Sequence, residues 1–504
     1  MKEFVDVVVV GAGPVGLLAA IELALGGVRA IVLERLGEPS LASKAQGIGP
    51  LGAEALQRRG MGAALAAEEA RAVAAMQPFT QQPGAAARGP GSKFSGHFAG
   101  LPLIRKDAQR EPERRSRAVP QPAIEAMLAE RASALGIDVR RACEVTAFEQ
   151  HAHGVDVAVQ TPAGAGGLRC AWLIACDGGR SALRKAAGFD FPGTPPTSTF
   201  YQASVEVDRP ERLLPMGWNR GAGGVFSYGP LPGRLVMLDF AGPPPDRQAP
   251  VTRAEIEAVL RRVSGADVRV DAMASASRWT DNTRLVDTYR RGRVLLAGDA
   301  AHVHSPFGGQ GLGLGLADAA NLGWKLAAVL RGDLPESLLD SYTAERRPIA
   351  EAVLANTLAQ VAIMRPDPQS GAMRELIARL LQLDDANRLI GEATSGLSTR
   401  YDLGSPRDAV GRLAGDRAVG DRRLYELMQD GAGVLLDATP HGQASALVAA
   451  ATPRVRAVAV ATGPSMLIRP DACVAWEADG AGVDGLEEAL RRWFTPVGGP
   501  GSEA

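Results

Sequence analysis

Cysteine is scarce in this chain, and the features that mark several other classes of protein are missing. The 504 residues include only Cys143, Cys170, Cys176 and Cys473. They form no CxxC pair and show no zinc-ligand spacing, which argues against thiol redox chemistry and suits a reducing compartment. A formal net charge of −1 gives no basic surface for nucleic acid, and no apolar run is long enough to span a bilayer. We therefore expect a cytoplasmic protein without a nucleic-acid or membrane partner.

A glycine-rich turn near the N-terminus is the first sign of a bound ligand. The β-branched run 7–10 predicts a buried parallel strand, and it leads into Gly11-Ala12-Gly13-Pro14-Val15-Gly16. In such a turn Gly11 permits a tight bend, Gly13 lets the backbone approach a pyrophosphate, and Gly16 lets the next helix pack against the strand. The helix predicted over 17–25 would direct its positive N-terminus toward phosphate. Charged residues and glycines interrupt this apolar stretch, which argues against a signal peptide.

An acidic residue follows the next predicted strand, which spans 29–33. The carboxylate of Glu34 can accept hydrogen bonds from both ribose hydroxyls and would repel a 2′-phosphate, so this site disfavours NADP. Arg35, next to it, is a second expected cofactor-binding residue. Strand, glycine turn, helix, strand and acid in this order predict a dinucleotide site.

A second ligand-binding segment lies far along the chain. Residues 293–297 predict a strand that ends at Gly298-Asp299, where an acid can bond the ribityl hydroxyls of a flavin. An ordinary helix N-cap is the alternative role for Asp299. The glycines at 308, 309, 311, 313 and 315 would let the backbone pass close to a flat ring, and the N-terminus of a helix predicted over 314–330 would face the flavin. Two such segments indicate one long cofactor held at both ends, and FAD has that shape.

A third segment, 176–184, follows a strand predicted over 172–175. It is either an ordinary strand-to-helix turn capped by Ser181, or a turn near the cofactor phosphates to which Arg180 or Arg184 adds charge.

Two histidines near the second segment invite a metal-binding interpretation. His302 and His304 stand two residues apart, which is poor metal-ligand spacing, and no nearby cysteine or carboxylate cluster completes a site. We therefore expect no metal, and we expect both histidines either to be structural or to support residues that contact the ligand.

The remaining chain divides into regions that differ in composition and hydrophobic pattern. Residues 77–100 are rich in glycine, proline and serine, and 194–287 contain alternating segments such as 234–240 that predict an antiparallel sheet. That sheet would form the wall of a substrate pocket. Arg234 and Arg278 could bind a carboxylate there but are as readily surface residues. The apolar candidates for the pocket are Phe226, Tyr228, Leu238 and Phe240.

The hydrophobic pattern of the sequence changes after about residue 400. Residues 433–437, 455–460 and 465–471 predict strands, and 486–494 predict a helix. The resulting domain prediction is a cofactor domain of 1–76, 101–190 and 286–395, a substrate domain of 77–100 and 191–285, and a C-terminal domain of 400–504.

These motifs, in this order, resemble the class A flavoprotein monooxygenases, which are aromatic hydroxylases similar to para-hydroxybenzoate hydroxylase. Within them the chain looks most like the bacterial polyketide hydroxylases and the rifampicin monooxygenase-like group. The resemblance covers roughly residues 1–360 and rests on the turn 11–16, on Asp177-Gly178, and on Gly298-Asp299 with Pro306. One departure is Gly313, where many relatives carry asparagine, which puts a side-chain contact to the flavin edge in doubt.

The resemblance implies an α/β fold with a Rossmann-like FAD-binding domain, an antiparallel-sheet substrate domain and a thioredoxin-like C-terminal domain. With no CxxC pair, we expect that last domain to serve packing or assembly. Asp177 would belong to a motif shared between FAD and NAD(P)H, and Pro306, Phe307 and Gly308 would lie beside the reacting flavin. The other FAD contacts that the resemblance implies are Lys44, Gln121, Gly309, Gly311 and Leu312.

The resemblance also implies a reaction. NADH or NADPH would reduce FAD. Since the chain has no second glycine fingerprint, this reductant would bind transiently rather than in a domain of its own. O2 would then give a flavin C4a-hydroperoxide that hydroxylates a phenolic ring. The expected substrate is a flat, polycyclic aromatic phenol of the polyketide type, as in antibiotic biosynthesis. Open alternatives are Baeyer–Villiger oxygenation, epoxidation, and a non-oxygenating FAD-binding protein such as a reductase, halogenase or scaffold. A homo-oligomer is also compatible.

Overall fold

The computed structural model describes residues 3–39, 45–80, 93–229, 233–247 and 249–495. Helices occur in every part of the chain. The described α-helices are α1 (Pro14–Leu25), α2 (Pro50–Leu56), α3 (Gly62–Thr80), α4 (Gln121–Ala134), α5 (Ala182–Ala186), α6 (Arg253–Ser264), α7 (Gly311–Leu330), α8 (Asp340–Met364), α9 (Pro368–Leu380), α10 (Asp384–Ser395), α11 (Leu424–Leu427), α12 (Gln443–Ala451) and α13 (Leu486–Trp493).

An eight-stranded sheet forms the core of the N-terminal part. Valines of the first strand are fully buried, as expected for a strand covered on both faces. Its parallel strands, in spatial order, are Val294–Leu296, Gly164–Ala175, Glu3–Val10, Ala30–Leu33 and Asp138–Arg140. Its antiparallel strands are Arg290–Arg291, Glu144–His151 and Gly154–Thr161.

The register of this sheet brings separate ligand segments together. Val10 pairs with Leu33 and with Ala175, and Ala175 pairs with Leu296. Because these strands are parallel and end level with one another, the residues that follow them meet at one edge, where open α/β sheets bind their ligands. Those residues are Gly11, Glu34, Cys176 and Ala297.

A five-stranded antiparallel sheet forms the second structural layer. Helix α6 covers one face and packs on Tyr201 and Met237, and the other face is turned toward the N-terminal part. The helix begins at the capping residue Thr252 and ends at Gly265, which has the left-handed conformation. In spatial order the strands are Gly217–Arg220, Gly224–Tyr228, Arg234–Asp239, Thr199–Val207 and Val270–Thr280.

Three small sheets complete this part and the linker between α10 and the C-terminal sheet. They consist of Gly193–Thr194, Thr283–Leu285 and His302–Val303; of Phe94–Phe98 and Leu101–Arg105; and of Ala418–Val419 and Arg422–Arg423.

The C-terminal part contains a mixed four-stranded sheet flanked by α12 and α13, a thioredoxin-like arrangement. Three of its strands and α13 were expected from the sequence. The strand Val474–Ala478 and helix α12 were not, because α12 is alanine-rich and has no side-chain cap to mark its start. In spatial order the strands are Val455–Ala459, Gly433–Asp437, Ser465–Ile468 and Val474–Ala478, the first pair parallel and the others antiparallel.

The C-terminal part is fixed to the N-terminal part by buried contacts. The fully buried guanidinium of Arg59 forms a bidentate pair with Glu22 at 2.7 Å and donates to the carbonyl oxygens of Met428 and Pro470. Trp324 of α7 packs in one apolar cluster with residues of the C-terminal sheet and α13. The two parts therefore share a core.

Some predicted boundaries differ from the structure. Helix α7 begins at Gly311 rather than at 314, and α3 continues through Thr80, across the expected boundary at 76. The prediction for Lys44 falls outside the described residues, as does half of the glycine-, proline- and serine-rich segment 77–100. The exact domain limits stay a prediction. Among the described helices, none combines the length and hydrophobicity needed to cross a membrane.

Candidate active site

A cavity of about 1280 Å³ lies between the carboxyl edge of the eight-stranded sheet and the antiparallel sheet. It exceeds the roughly 300–1,000 Å³ of a typical small-molecule pocket. Of the described residues expected to bind cofactor, all except Gly16 line it: Gly11, Gly13, Pro14, Val15, Glu34, Arg35, Gln121, Asp177, Asp299, Pro306, Gly309, Gly311 and Leu312.

The glycine turn has the geometry needed to admit a pyrophosphate. Gly11 has φ +106°, and a Cβ there would lie 2.4 Å from the carbonyl oxygen of Cys176. A Cβ on Gly16 would lie 1.9 Å from the Gly11 oxygen, so Gly16 packs directly against the turn, behind the cavity wall. Gly13, by contrast, faces open space. Helix α1 has no side-chain cap, so its first amides are available to an anion.

Glu34 stabilises this turn as well as facing the cavity. Its Oε2 accepts a hydrogen bond from the Ala12 amide, and its Oε1 accepts one from the Leu36 amide, both at 2.9 Å. Each carboxylate oxygen retains a further lone pair. The residue can therefore hold the turn and bind ribose hydroxyls at once, and the first of these roles was not foreseen.

Asp177 offers an unused oxygen at the same edge. Its Oδ2 accepts hydrogen bonds from the amides of Ala182 and Leu183, whereas its Oδ1 is buried without a partner among the described residues. A buried, unpaired carboxylate oxygen beside a cavity is costly unless a ligand group bonds it. This oxygen and the open space at Gly13 fit a dinucleotide with ribityl or ribose hydroxyls.

The turn after Asp177 has features of both interpretations of segment 176–184. Ser181 does cap α5 through the Arg184 amide. The guanidinium of Arg184 turns away from the cavity, donates to the carbonyl oxygens of Gly179 and Ala300, and stacks on Phe191. Any positive charge that this segment brings near the cofactor would therefore come from Arg180, which lines the cavity.

The second ligand segment forms the opposite end of the cavity. The carboxylate of Asp299 is exposed to it and has no hydrogen-bond partner among the described residues. Pro306, Phe307 and Gly308 line the wall, and Gly309 leaves open space in front of its backbone. Helix α7 begins directly behind them without a side-chain cap, so its positive end is turned to this space.

Gln121 and the two histidines have protein partners. Gln121 begins α4, and its Nε2 donates to Glu125 at 2.8 Å. His302 is buried, with its Nε2 2.8 Å from Asp318. Burial lowers the pKa of His304, whose Nδ1 lies 2.7 Å from the Ser305 carbonyl oxygen. In the described ranges no cluster of three acidic, histidine or cysteine side chains is arranged to hold a metal.

Aromatic side chains form the wall beyond Phe307. The ring centroid of Phe307 lies 5.6 Å from Phe200 and 5.5 Å from Trp218. Trp279 lies 4.9 Å from Phe200, and His97 lies 5.5 Å from Trp218. All of them line the cavity. Except for Phe307, the sequence did not single out these residues, although Phe200 and Trp279 stand opposite each other on paired strands.

The apolar residues expected on the pocket wall are placed differently. Phe226 and Tyr228 face helix α6, on the opposite side of the sheet, because side chains alternate along the strand. Leu238 and Phe240 belong to the cluster that contains Phe200, but they lie behind the cavity lining.

Polar side chains occupy the far end of the same wall. Gln202 is paired with Ser277 and with Val236, so these side chains share one face of the sheet. Arg234 stands two residues before Val236 on the same strand and therefore lies on that face too, and it lines the cavity. Arg278 points to the other face and pairs with Glu255 at 2.7 Å. The wall thus changes from aromatic near Phe307 to polar near Arg234.

Comparisons with known proteins agree with this geometry. Residues 4–357 match the model of an FAD binding domain, and 408–496 match the C-terminal domain of aromatic-ring hydroxylases. A 12-dehydrotetracycline 5-monooxygenase/anhydrotetracycline 6-monooxygenase of Streptomyces rimosus is 40% identical, with 97% of this chain and 99% of the relative covered. A rifampicin monooxygenase of Streptomyces venezuelae is 38% identical, covering 97% and 98%. The solved structure of an anhydrotetracycline hydroxylase from Streptomyces rimosus superposes with a TM-score of 0.84 at 38% identity, covering 98% of this chain and all of that one.

Proposed function

The chain belongs to the family of FAD-dependent aromatic-ring hydroxylases and is a flavoprotein monooxygenase, and we propose that it hydroxylates a flat, polycyclic phenol with NADH or NADPH as reductant. One observation carries this proposal. A single cavity joins the glycine turn, Asp299 and the aromatic wall around Phe307. Cofactor and substrate would therefore share one continuous space.

The residues at the cofactor end have separate tasks. When bound, FAD would supply the chemistry that accepts a hydride and activates O2. The N-termini of α1 and α7 offer amides and positive ends to groups that carry negative charge. Glu34 and Asp299 would accept hydrogen bonds from sugar and ribityl hydroxyls at the two ends.

The shape and chemistry of the other end support a polycyclic substrate. The rings of Phe200, Trp218, Trp279 and Phe307 give a broad apolar wall on which flat rings can pack. Gln202, Ser277 and Arg234 add hydrogen-bonding groups for oxygen atoms at the far end of the substrate. A small benzoate would leave most of this surface uncovered. The relatives named for anhydrotetracycline and rifampicin support the same choice.

The proposal is tested by turnover under 18O2 with a panel of polycyclic phenols and monocyclic benzoates. A polycyclic phenol should accelerate NADH or NADPH oxidation and gain one labelled oxygen on the ring. Label in a ring-expanded ester or an epoxide would instead identify Baeyer–Villiger or epoxidising activity on the substrate tested. Turnover confined to benzoates would contradict the polycyclic assignment.

The cysteines support a proposed location in a reducing compartment. All four are unpaired, and Cys143, Cys170 and Cys473 are buried. Burial raises the pKa of each of these thiols.

A further inference from the structure

Helix α7 carries a buried polar stripe that begins one turn beyond Gly311 and Leu314, its first residues on the cavity wall. Asp318, Asn321 and Lys325 follow one another at helical spacing, and each is fully buried. Polar groups in such a place need partners, because an unpaired buried charge is strongly destabilising. The partners of this stripe come from α8 and from the C-terminal part of the chain.

The first end of the stripe supports the turn that carries Asp299. The Oδ2 of Asp318 accepts a hydrogen bond from the Gly298 amide at 3.1 Å and lies 2.8 Å from the His302 Nε2. Its Oδ1 accepts from the Nε of Arg346 at 2.8 Å, and Arg346 also donates to the Leu314 carbonyl oxygen in the first turn of α7. Asp318 therefore joins the turn, α7 and α8.

The C-terminal part closes the stripe at its second end. Arg469 forms a bidentate pair with Glu345 at 2.8 Å and also pairs with Asp471. Asn321 and Lys325 both donate to Glu345. The buried cations of the cluster, Lys325, Arg346 and Arg469, thus face an equal number of buried carboxylates, on Asp318, Glu345 and Asp471.

Tyr401 connects the two ends. It is 2% exposed, and its hydroxyl oxygen accepts a hydrogen bond from Arg346 at 3.0 Å. The guanidinium carbons of Arg346 and Arg469 lie 5.9 Å and 5.6 Å from its ring centroid. The residue lies in the linker between α10 and the C-terminal sheet, so docking of the C-terminal part places its hydroxyl group against Arg346.

We propose that Tyr401 is a positioning residue for the FAD site: by holding Arg346 against Asp318, it fixes the Gly298-Asp299 turn and the first turn of α7 in their cofactor-binding arrangement. The C-terminal part would then contribute to FAD affinity without touching the cavity near Asp299. This role is separate from the choice of substrate.

A matched pair of tyrosines tests the proposal. Tyr425 also joins the two parts through its hydroxyl, which bonds Glu54 at 3.0 Å and the Ala414 carbonyl oxygen, and it is 3% exposed. It makes no contact with Asp318 or Arg346. Tyr425→Phe should lower the unfolding temperature of the apoprotein at least as much as Tyr401→Phe, because the Tyr425 hydroxyl makes two hydrogen bonds and the Tyr401 hydroxyl makes one.

FAD affinity should separate the two variants. Titration of apoprotein with FAD, followed by flavin fluorescence, should give a dissociation constant about tenfold higher for Tyr401→Phe and within about twofold of wild type for Tyr425→Phe. Equal losses in both variants would show a general stability effect and overturn the proposal, and an unchanged constant for Tyr401→Phe would do the same.

A double-mutant cycle tests the route of the effect. If Tyr401 acts through the Gly298-Asp299 turn, Tyr401→Phe should weaken FAD binding much less in an Asp299→Ala background than in wild type. Additive effects would show that Tyr401 acts independently of this turn and would overturn the assigned role. Because the readout is binding of FAD, a substrate other than a polycyclic phenol would leave this inference intact.

Discussion

Replacing Asp299 by alanine should weaken FAD binding without weakening the fold. The carboxylate is exposed to the cavity and makes no hydrogen bond with the described residues, so its removal breaks no internal hydrogen bond. A hydrogen bond to a charged group contributes roughly 1.5–3 kcal/mol. Since about 1.4 kcal/mol corresponds to a factor of ten, the FAD dissociation constant should rise about tenfold to a hundredfold.

Glu34→Ala gives the informative contrast. Its carboxylate holds the amides of Ala12 and Leu36, so this variant should lose both FAD affinity and stability of the apoprotein. The expected stability loss is about 1–3 kcal/mol, because two backbone donors lose their acceptor at a site that water reaches only in part. Only Asp299→Ala should separate the two effects.

The assay measures both quantities on the same apoprotein. FAD affinity is followed by fluorescence titration, and stability by thermal unfolding without FAD. Glu375→Ala, which removes an exposed carboxylate on α9, serves as a charge-matched control and should change neither. If Asp299→Ala lowered the unfolding temperature as much as Glu34→Ala while binding FAD normally, Asp299 would be an ordinary N-cap residue and the ribityl assignment would fail.

Three further outcomes are expected. Phe307→Leu should weaken binding of a polycyclic phenol severalfold and leave FAD affinity unchanged, because it removes ring contacts to Phe200 and Trp218. Titrations that showed an equal loss of affinity for the phenol and for FAD would contradict this. Cys473→Ser should retain turnover, because burial raises the pKa of this thiol and leaves no thiolate at neutral pH; loss of turnover at full FAD content would restore a thiol role. Burial raises the pKa of the Asp318, Glu345 and Asp471 carboxyls, but adjacent guanidinium groups outweigh it and hold each below its usual range. Their stabilisation should be complete above about pH 5 and decline as the pH falls further, and an unfolding temperature unchanged between pH 5 and 3 would exclude it.

The cofactor end of the site was accessible to sequence reasoning because its chemistry is local. A glycine turn such as 11–16 has few structural uses, and an acid such as Glu34 directly after a parallel strand has few roles. Parallel strands place their carboxyl ends at one edge, so Gly11, Glu34 and Asp177 could be expected to meet. What sequence could not supply was the second task of Glu34, which depends on the exact path of residues 34–36.

The substrate end was not accessible in the same way. Alternation divides a strand into two faces but does not say which face is turned to the cavity. Phe226 and Tyr228 were expected on the wall and face α6 instead, while Phe200 and Trp279 on neighbouring strands form the wall. The choice depends on where α6 packs, which is a long-range contact with no local signal in 194–287.

The same limit explains why the sequence predicted a packing or assembly role for the C-terminal part without identifying its contacts. Its sequence shows strands and a helix but gives no sign that Arg469 and Asp471 complete a charge cluster on α7 and α8. In the structure these charges are buried between the two parts, and removing one partner of a buried pair typically costs about 3–5 kcal/mol. Because the cluster is also bonded to the Gly298 amide through Asp318, the energy that docks the C-terminal part is linked to the geometry of the turn that faces the cavity. The absence of a CxxC pair argues against thiol redox chemistry in this domain, and its buried contacts with α7 and α8 provide a physical reason for its presence.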